Sequence, residues 1–334
     1  MNKNVFLLFI LICIMLFSSC LSKPIEKQPL DLYQNIATKS VSLNTENPQI
    51  KIYFPSFMTI DESKKHKRMV WGDGIILFLP DGKVMMVDCF DSEGQEQLLA
   101  FMESLGITTI DYFFATHNHT DHVGNVPILL NHFTIKNYYW NGVHFDSFGD
   151  AFVTEILEDN KIEPIRLEQG DSLTICESPE CKIDVLWPKL TDQDIDDAFN
   201  NPGRTQRLKN NTSLVFKLTY NDFSVLFTGD LYKQGDEVLT KTYGSKLKST
   251  VLKVPHHGEF YTSNNLAFAK AVSPEIAIMQ DNQYVKYPIS NFGIYRIYKK
   301  IKSKFLFRNS AGYILVTSDG KNYSVKEKTF TEQN

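Results

Sequence analysis

Six residues of this chain, His117-Asn118-His119-Thr120-Asp121-His122, carry three imidazoles and a carboxylate. Such groups crowd together at a cost unless positive charge sits among them. Neutral imidazole and carboxylate are the usual ligands of Zn²⁺ and other borderline divalent ions. The apolar run Ile110-Asp111-Tyr112-Phe113-Phe114-Ala115 stands just before the cluster and reads as a buried strand. The cluster therefore falls on the loop leaving a strand's C-terminal end, where layered α/β folds build their sites. A histidine-rich scavenging tract is low in complexity and rarely follows an apolar strand.

Further strands predict a frame for this loop. Ile75 to Leu79 and Val84 to Val87 form a hairpin about Pro80-Asp81-Gly82-Lys83, ordinary turn chemistry. Leu98, Met102 and Leu105 recur at helical spacing, Gly106 suits the helix end, and Val126 to Leu130 starts a short helix. A second hairpin, Ser213 to Tyr220 with Phe223 to Thr228, ends on Gly229-Asp230; the strand Thr250 to Val254 ends on Pro255-His256-His257-Gly258. Helices over 266–272 and 294–301 flank a strand over 275–279, and the chain closes with Phe305 to Phe307 and a hairpin turning at Asp319-Gly320. Strands in two batches with helices between them predict an α/β fold, two packed sheets with helices outside. Asp230 and His256 or His257 then join the 117–122 loop as ligand candidates, each at a strand's C-terminal end. Singly each has a plain reading, as a turn residue or a strand cap; jointly they predict a convergent site.

The 334 residues are 43% hydrophobic and 22% charged, an ordinary globular balance. A formal charge of −4 supplies no basic field to draw in nucleic acid by itself. Residues 1–20 read as an export signal: Lys3, an apolar run from Val5 to Phe17, then Ser18-Ser19-Cys20. The run is too short to span a bilayer stably. Small residues before cysteine resemble a bacterial lipobox, with Cys20 lipidated; plain secretion or an uncleaved anchor are the alternatives. Residues 21–49 are polar, hold Pro24, Pro29 and Pro48, and read as a tether; 50–330 reads as one domain without repeats. This predicts a lipoprotein of the cell envelope, held at a bacterial membrane. Outside the cytoplasm, Cys176 and Cys181, which flank a proline turn, could close a small disulfide loop, while Cys89 reads as a buried thiol.

Taken together, these motifs resemble the metallo-β-lactamase-fold hydrolases, through Thr116 to His122, Thr228-Gly229-Asp230 and the late histidines. Within them the chain is similar to the hydrolase domain of ComEC-type DNA-uptake channel proteins, through Asn210 to Val215, Val225 to Asp230 and Leu252 to Gly258. It also resembles bacterial phosphorylcholine esterases. The likeness runs from about residue 68 to 327. It implies a four-layer αββα sandwich and two divalent ions, Zn²⁺ or Mn²⁺. It implies His117 and His119 on one ion, Asp121 and His122 on the other, and Asp230 bridging. His256 is the first choice to complete the second site, with His257 the alternative. Asp88 would orient the ligand loop. Many family members add a histidine to the first ion from a strand start before Asp230. No histidine lies between His144 and His256, and Asn210-Asn211 takes that place, which hardens the site. His132 and His144 are substitutes, though a structural role suits each better.

The chemistry implied is metal-assisted hydrolysis, with Asp121 orienting the nucleophile and moving a proton. No Gly-x-Ser-x-Gly elbow competes. Only 26 positions separate Asp230 from His256, which excludes the large insertion of the RNA-processing members. The resemblance points to a phosphodiester substrate, small or polymeric, with nucleic acid or a choline-bearing envelope polymer as candidates; no protein partner is implied. Arg204, Arg207 and Lys209 would meet phosphates at the cleft, or lie on a solvated loop with Lys64, Lys65, Lys67 and Arg68. The rival readings are a β-lactamase or lactonase, and a catalytically silent binding lipoprotein of the same fold.

Overall fold

In the strand Ile75–Phe78, Ile75 and Leu77 enter one apolar core while Ile76 and Phe78 enter another. The same alternation splits Phe223–Phe227, where Val225 and Phe227 face the first core and Leu226 a third. Side chains alternate along a strand, so two-sided burial puts each sheet between two layers. The computed structural model describes residues 48–61, 66–144, 148–190, 209–280 and 293–330. The signal, most of the tether, Cys20, Lys64, Lys65, Arg204 and Arg207 lie outside the described residues.

Two large sheets carry the fold. The first runs Ile165–Arg166, Tyr138–Trp140, Tyr112–Phe114, Val84–Val87, Ile75–Phe78, Ile50–Ser56, Gly312–Ser318, Tyr323–Thr329. The second runs Ser172–Glu177, Glu180–Trp187, Val215–Tyr220, Phe223–Phe227, Val251–Lys253, Ile276–Met279, Lys304–Phe307. Phe54, Leu77 and Phe114 of the first meet Val185, Phe216 and Phe227 of the second in the core between them. Full burial of each such side chain contributes about 1.5–3 kcal/mol. Helices Gln95–Ser104 and Val126–His132 cover the outer face of the first sheet through Leu98, Phe101, Met102 and Leu129. Helices Lys233–Tyr243, Leu266–Val272 and Gly293–Lys300 cover the second through Leu239, Phe268 and Tyr298. The layers run αββα.

Three features differ from expectation. The strand expected over 110–115 breaks at Asp111 into Thr109–Ile110 and Tyr112–Phe114, which belong to different sheets. The Asp111 carboxylate is the cause: it accepts from the Val84 amide at 2.9 Å and from Lys136 Nζ at 2.7 Å, competing with the ladder. Ile50–Ser56, read as nothing more than the start of the domain, is an inner strand paired on both sides. The disulfide weighed for Cys176 and Cys181 is not formed. Both are free, buried thiols at directly opposed positions of one hairpin, where they fill the inter-sheet core.

Candidate metal centre

Strand order brings the candidate residues together. Val84–Val87 and Tyr112–Phe114 run parallel in the first sheet, and Phe223–Phe227 and Val251–Lys253 run parallel in the second. Their C-terminal ends deliver Asp88, the 117–122 loop, Asp230 and His256-His257 to one edge. The two sheets are laced there by the Leu214 amide donating to the Thr116 carbonyl at 2.7 Å. Two glycines allow the approach. A Cβ on Gly229, where φ is +48°, would lie 2.8 Å from the Thr116 side chain; on Gly72, at φ +102°, it would strike the Asp121 carbonyl oxygen at 1.6 Å.

Among the described residues three groups of side chains result; the third is Asp73, Asp88 and His122, and Asp230 belongs to the other two. His117, His119 and Asp230 form one; Asp121, His122, Asp230 and His257 form the other, with ligand-type atoms within 4.8 Å of one another in each. His117 Nε2 lies 3.8 Å from Asp230 Oδ2. His122 Nε2 lies 3.3 Å and His257 Nε2 3.4 Å from that same oxygen, and His257 Nε2 is 3.3 Å from Asp121 Oδ2.

His256 is the first choice from sequence for the second site, but it is His257 that this geometry gathers with Asp121, His122 and Asp230. Both residues sit in the left-handed region, at φ 48° and 49°, so the chain coils after Pro255 and turns the second imidazole inward. His256 Nε2 stands 3.9 Å from Asp230 Oδ2, contacts Asn210 Nδ2 at 3.1 Å, and its Nδ1 meets Thr262 Oγ1 at 2.8 Å. Asn210 is thus beside the site through His256. Asn211 is not: its Oδ1 accepts from the Tyr232 and Gly235 amides at 3.2 and 3.3 Å, holding the start of the helix after Asp230. His132 is 3.9 Å from Glu103 and His144 packs on Trp140; neither enters the groups.

Asp88 lies beneath the ligand loop. It accepts from the Thr116 amide at 2.8 Å and the Thr116 hydroxyl at 2.7 Å, and its Oδ2 meets His122 Nδ1 at 2.8 Å. That contact fixes the His122 ring so that Nε2 faces Asp230. The Gln280 carbonyl meets His257 Nδ1 at 3.1 Å and fixes that ring, and Asp73 and Lys253, which sequence reasoning passed over, add buried charge beside it. Asp73 Oδ1 lies 3.3 Å from His257 Nδ1, and its other oxygen pairs with Lys253 Nζ; both residues are 1% exposed. Lysine is almost never fully buried unless paired, so a lysine inside the apolar strand Val251–Lys253 was the available signal. Its partner is 180 positions earlier, which no local pattern reveals.

The electrostatics call for cations. Burial, reinforced by His122 and His119, holds His117 well below the ordinary imidazole range, and burial brings His119 down to about 4. Both rings are neutral at pH 7, the form that binds metal. Burial alone would also lower His122 and His257, but Asp230 with Asp121 and Asp88, and Asp230 with Asp73, carry them well above it. Against the push of burial, His257 and His122 keep Asp230 ionised. Carboxylates in this pocket take protons through their imidazole neighbours when no other positive charge is at hand. His122 Nε2, His257 Nε2 and Asp230 Oδ1 are buried without a hydrogen bond of good geometry. A donor set of imidazoles and carboxylates with such atoms aimed inward fits divalent ions.

Residues 75–278 match the Metallo-beta-lactamase superfamily. The chain belongs to that superfamily. It is 28% identical to ComE operon protein 3 of Bacillus subtilis over 196 residues, 59% of this chain and 23% of that protein. It is 38% identical to competence protein ComA of Neisseria gonorrhoeae over 85 residues, 25% of this chain and 12% of that protein. The metallo-beta-lactamase chain thus spans less than a quarter of the length of these relatives. Among solved structures it is similar to a proposed metal-dependent hydrolase from Parabacteroides distasonis, at 16% identity and TM-score 0.44, covering 77% of this chain and 99% of that one. Superfamily membership makes it a hydrolase by kind, and the fold implies divalent metal ions.

Proposed function

We propose that this chain is an exported, lipid-anchored hydrolase that cleaves phosphodiesters with two divalent ions. His117, His119 and Asp230 would hold one ion, and Asp121, His122, Asp230 and His257 the other. The carrying observation is that residues from three strand ends meet around one buried carboxylate, Asp230, 2% exposed and common to both groups. Ions so held would supply a hydroxide nucleophile at neutral pH and an electrophilic clamp. The chain's own residues do the rest. Asp88 and the Gln280 carbonyl fix the rings of His122 and His257, Asp73 adds a negative charge beside His257, and Asp121, at the cleft side of its group, would orient the nucleophile and pass a proton to the leaving oxygen. The phosphodiester preference rests on the competence relatives and on a cleft that brings Lys209 beside His119. A cation there suits a phosphate better than a lactam or lactone.

The test is one preparation of the full chain expressed in a bacterium, loaded with Zn²⁺ or Mn²⁺. Expected are two ions per chain, hydrolysis of bis-p-nitrophenyl phosphate or single-stranded DNA, and partition into detergent that Cys20→Ala abolishes. Activity on nitrocefin alone would make it a lactamase, and the absence of metal uptake would leave a binding protein.

A further inference from the structure

A cleft of about 520 Å³ opens against His119 and Asp121, and its wall includes Trp71, Arg68, Glu93 and Lys209. Trp71 is 43% exposed and lines the cleft beside the polar centre. Its backbone is nevertheless pinned. The Trp71 carbonyl accepts from the Asp91 amide at 3.0 Å, and Gly72 lies against the carbonyl of Asp121. A rigid backbone with a solvent-facing ring next to the reacting centre is a platform, not part of a core. Lys209 is anchored likewise, its carbonyl accepting from the Thr212 amide at 3.0 Å and the Thr212 hydroxyl at 2.7 Å.

The remaining lining decides the occupant. Arg68 Nη2 pairs with Glu93 Oε1 at 2.6 Å, and Asp91 Oδ1 accepts from the Glu93 amide at 3.1 Å, so both carboxylates are engaged within the protein. Among the described residues Trp71 is the one large aromatic ring lining the cleft. A flat base takes an aromatic face and a cation for its phosphate, and Trp71 and Lys209 line the cleft together.

We propose that Trp71 is the stacking face for the nucleobase of a nucleoside phosphodiester, with Lys209 holding the adjoining phosphate. This rests on the phosphodiesterase reading and narrows it to nucleic-acid-like substrates. The metal-loaded full chain is given three p-nitrophenyl phosphodiesters with one leaving group in common: the thymidine 5′, methyl and choline esters. The wild type is expected to favour the thymidine ester over the methyl ester. Trp71→Ala should cut that ratio of kcat/KM about tenfold, through KM, and Trp71→Phe should keep part of it. In parallel, thymidine 5′-monophosphate should quench tryptophan fluorescence saturably in the wild type and not in Trp71→Ala. A wild type indifferent to the base, or a ratio that survives Trp71→Ala, overturns the proposal. So does a selective loss of choline-ester cleavage in that variant. If no diester is cleaved, it is the phosphodiesterase reading that fails. The fluorescence titration then decides the subsite alone: quenching lost in Trp71→Ala upholds it, and quenching absent or unchanged rejects it.

Discussion

His256 and His257 occupy consecutive left-handed positions, a backbone state that costs most side chains roughly 1–2 kcal/mol and that asparagine tolerates. Asparagine is therefore the replacement that leaves the turn intact while deleting an imidazole. His257→Asn should lower the metal content of the purified chain from two ions to about one, whereas His256→Asn should retain both. Elemental analysis beside protein concentration reads this directly, and the reverse pattern would restore the strand-nearest histidine as the ligand. A sequence offers no way to choose between the two, because the choice lies in φ rather than in composition. Asp230, Asp121 and the 117–122 histidines were legible for the opposite reason: their residue types and their places after apolar strands carry the chemistry by themselves. Asp73 was not, since an aspartate before a hairpin reads as a turn until Lys253 is seen beneath it.

At the scale of elements, the helix Lys233–Tyr243 carries a buried carboxylate unconnected with the metal groups. Asp236 Oδ2 accepts from the amides of Asn264 and Asn265 at 2.9 and 3.3 Å, while its Oδ1 has no partner. Burial pushes its pKa up to about 7. The folded state thus binds this proton more tightly than the unfolded chain. The stabilisation is complete below pH about 4 and lost as pH rises towards 7, at most roughly 4 kcal/mol. Asp236→Asn keeps the acceptor and removes the charge. Its stability relative to wild type, from urea melts, should rise between pH 5 and pH 8; a difference flat in pH would refute the account. Elements with regular alternation were readable in advance, both hairpins and the helix ending at Gly106 among them. Ile50–Ser56 was hidden by Pro55, which weakens any strand reading. It is accommodated because the pairing with Ile75–Phe78 covers only Lys51 to Tyr53, so the missing amide is not needed on that side.

Across the whole molecule, the four layers position the site by topology. Parallel strands in each sheet bring their ends to one edge, and the apolar core between Phe114, Phe216 and Phe227 sets how far apart the two contributions stand. The layering was legible because the inner strands, Ile75–Phe78, Val84–Val87 and Ile276–Met279 among them, are apolar on both faces. What no single strand states is which edges meet, a property of strand order rather than of any local run.

With two ions held as proposed, the Asp230 carboxylate would serve both, and their occupancies would be thermodynamically linked. Whichever ion arrives first draws on negative charge that the second would have used, so calorimetric titration of the stripped protein should resolve two unequal steps, the later one weaker. Reciprocity requires that each ion loosen the other by an identical factor. A single step of uniform affinity would mean that the halves load independently. With the halves linked, the chain in a metal-poor medium would stand half-filled over a wide range of concentration, and its activity would report on the supply of the second, more weakly held ion.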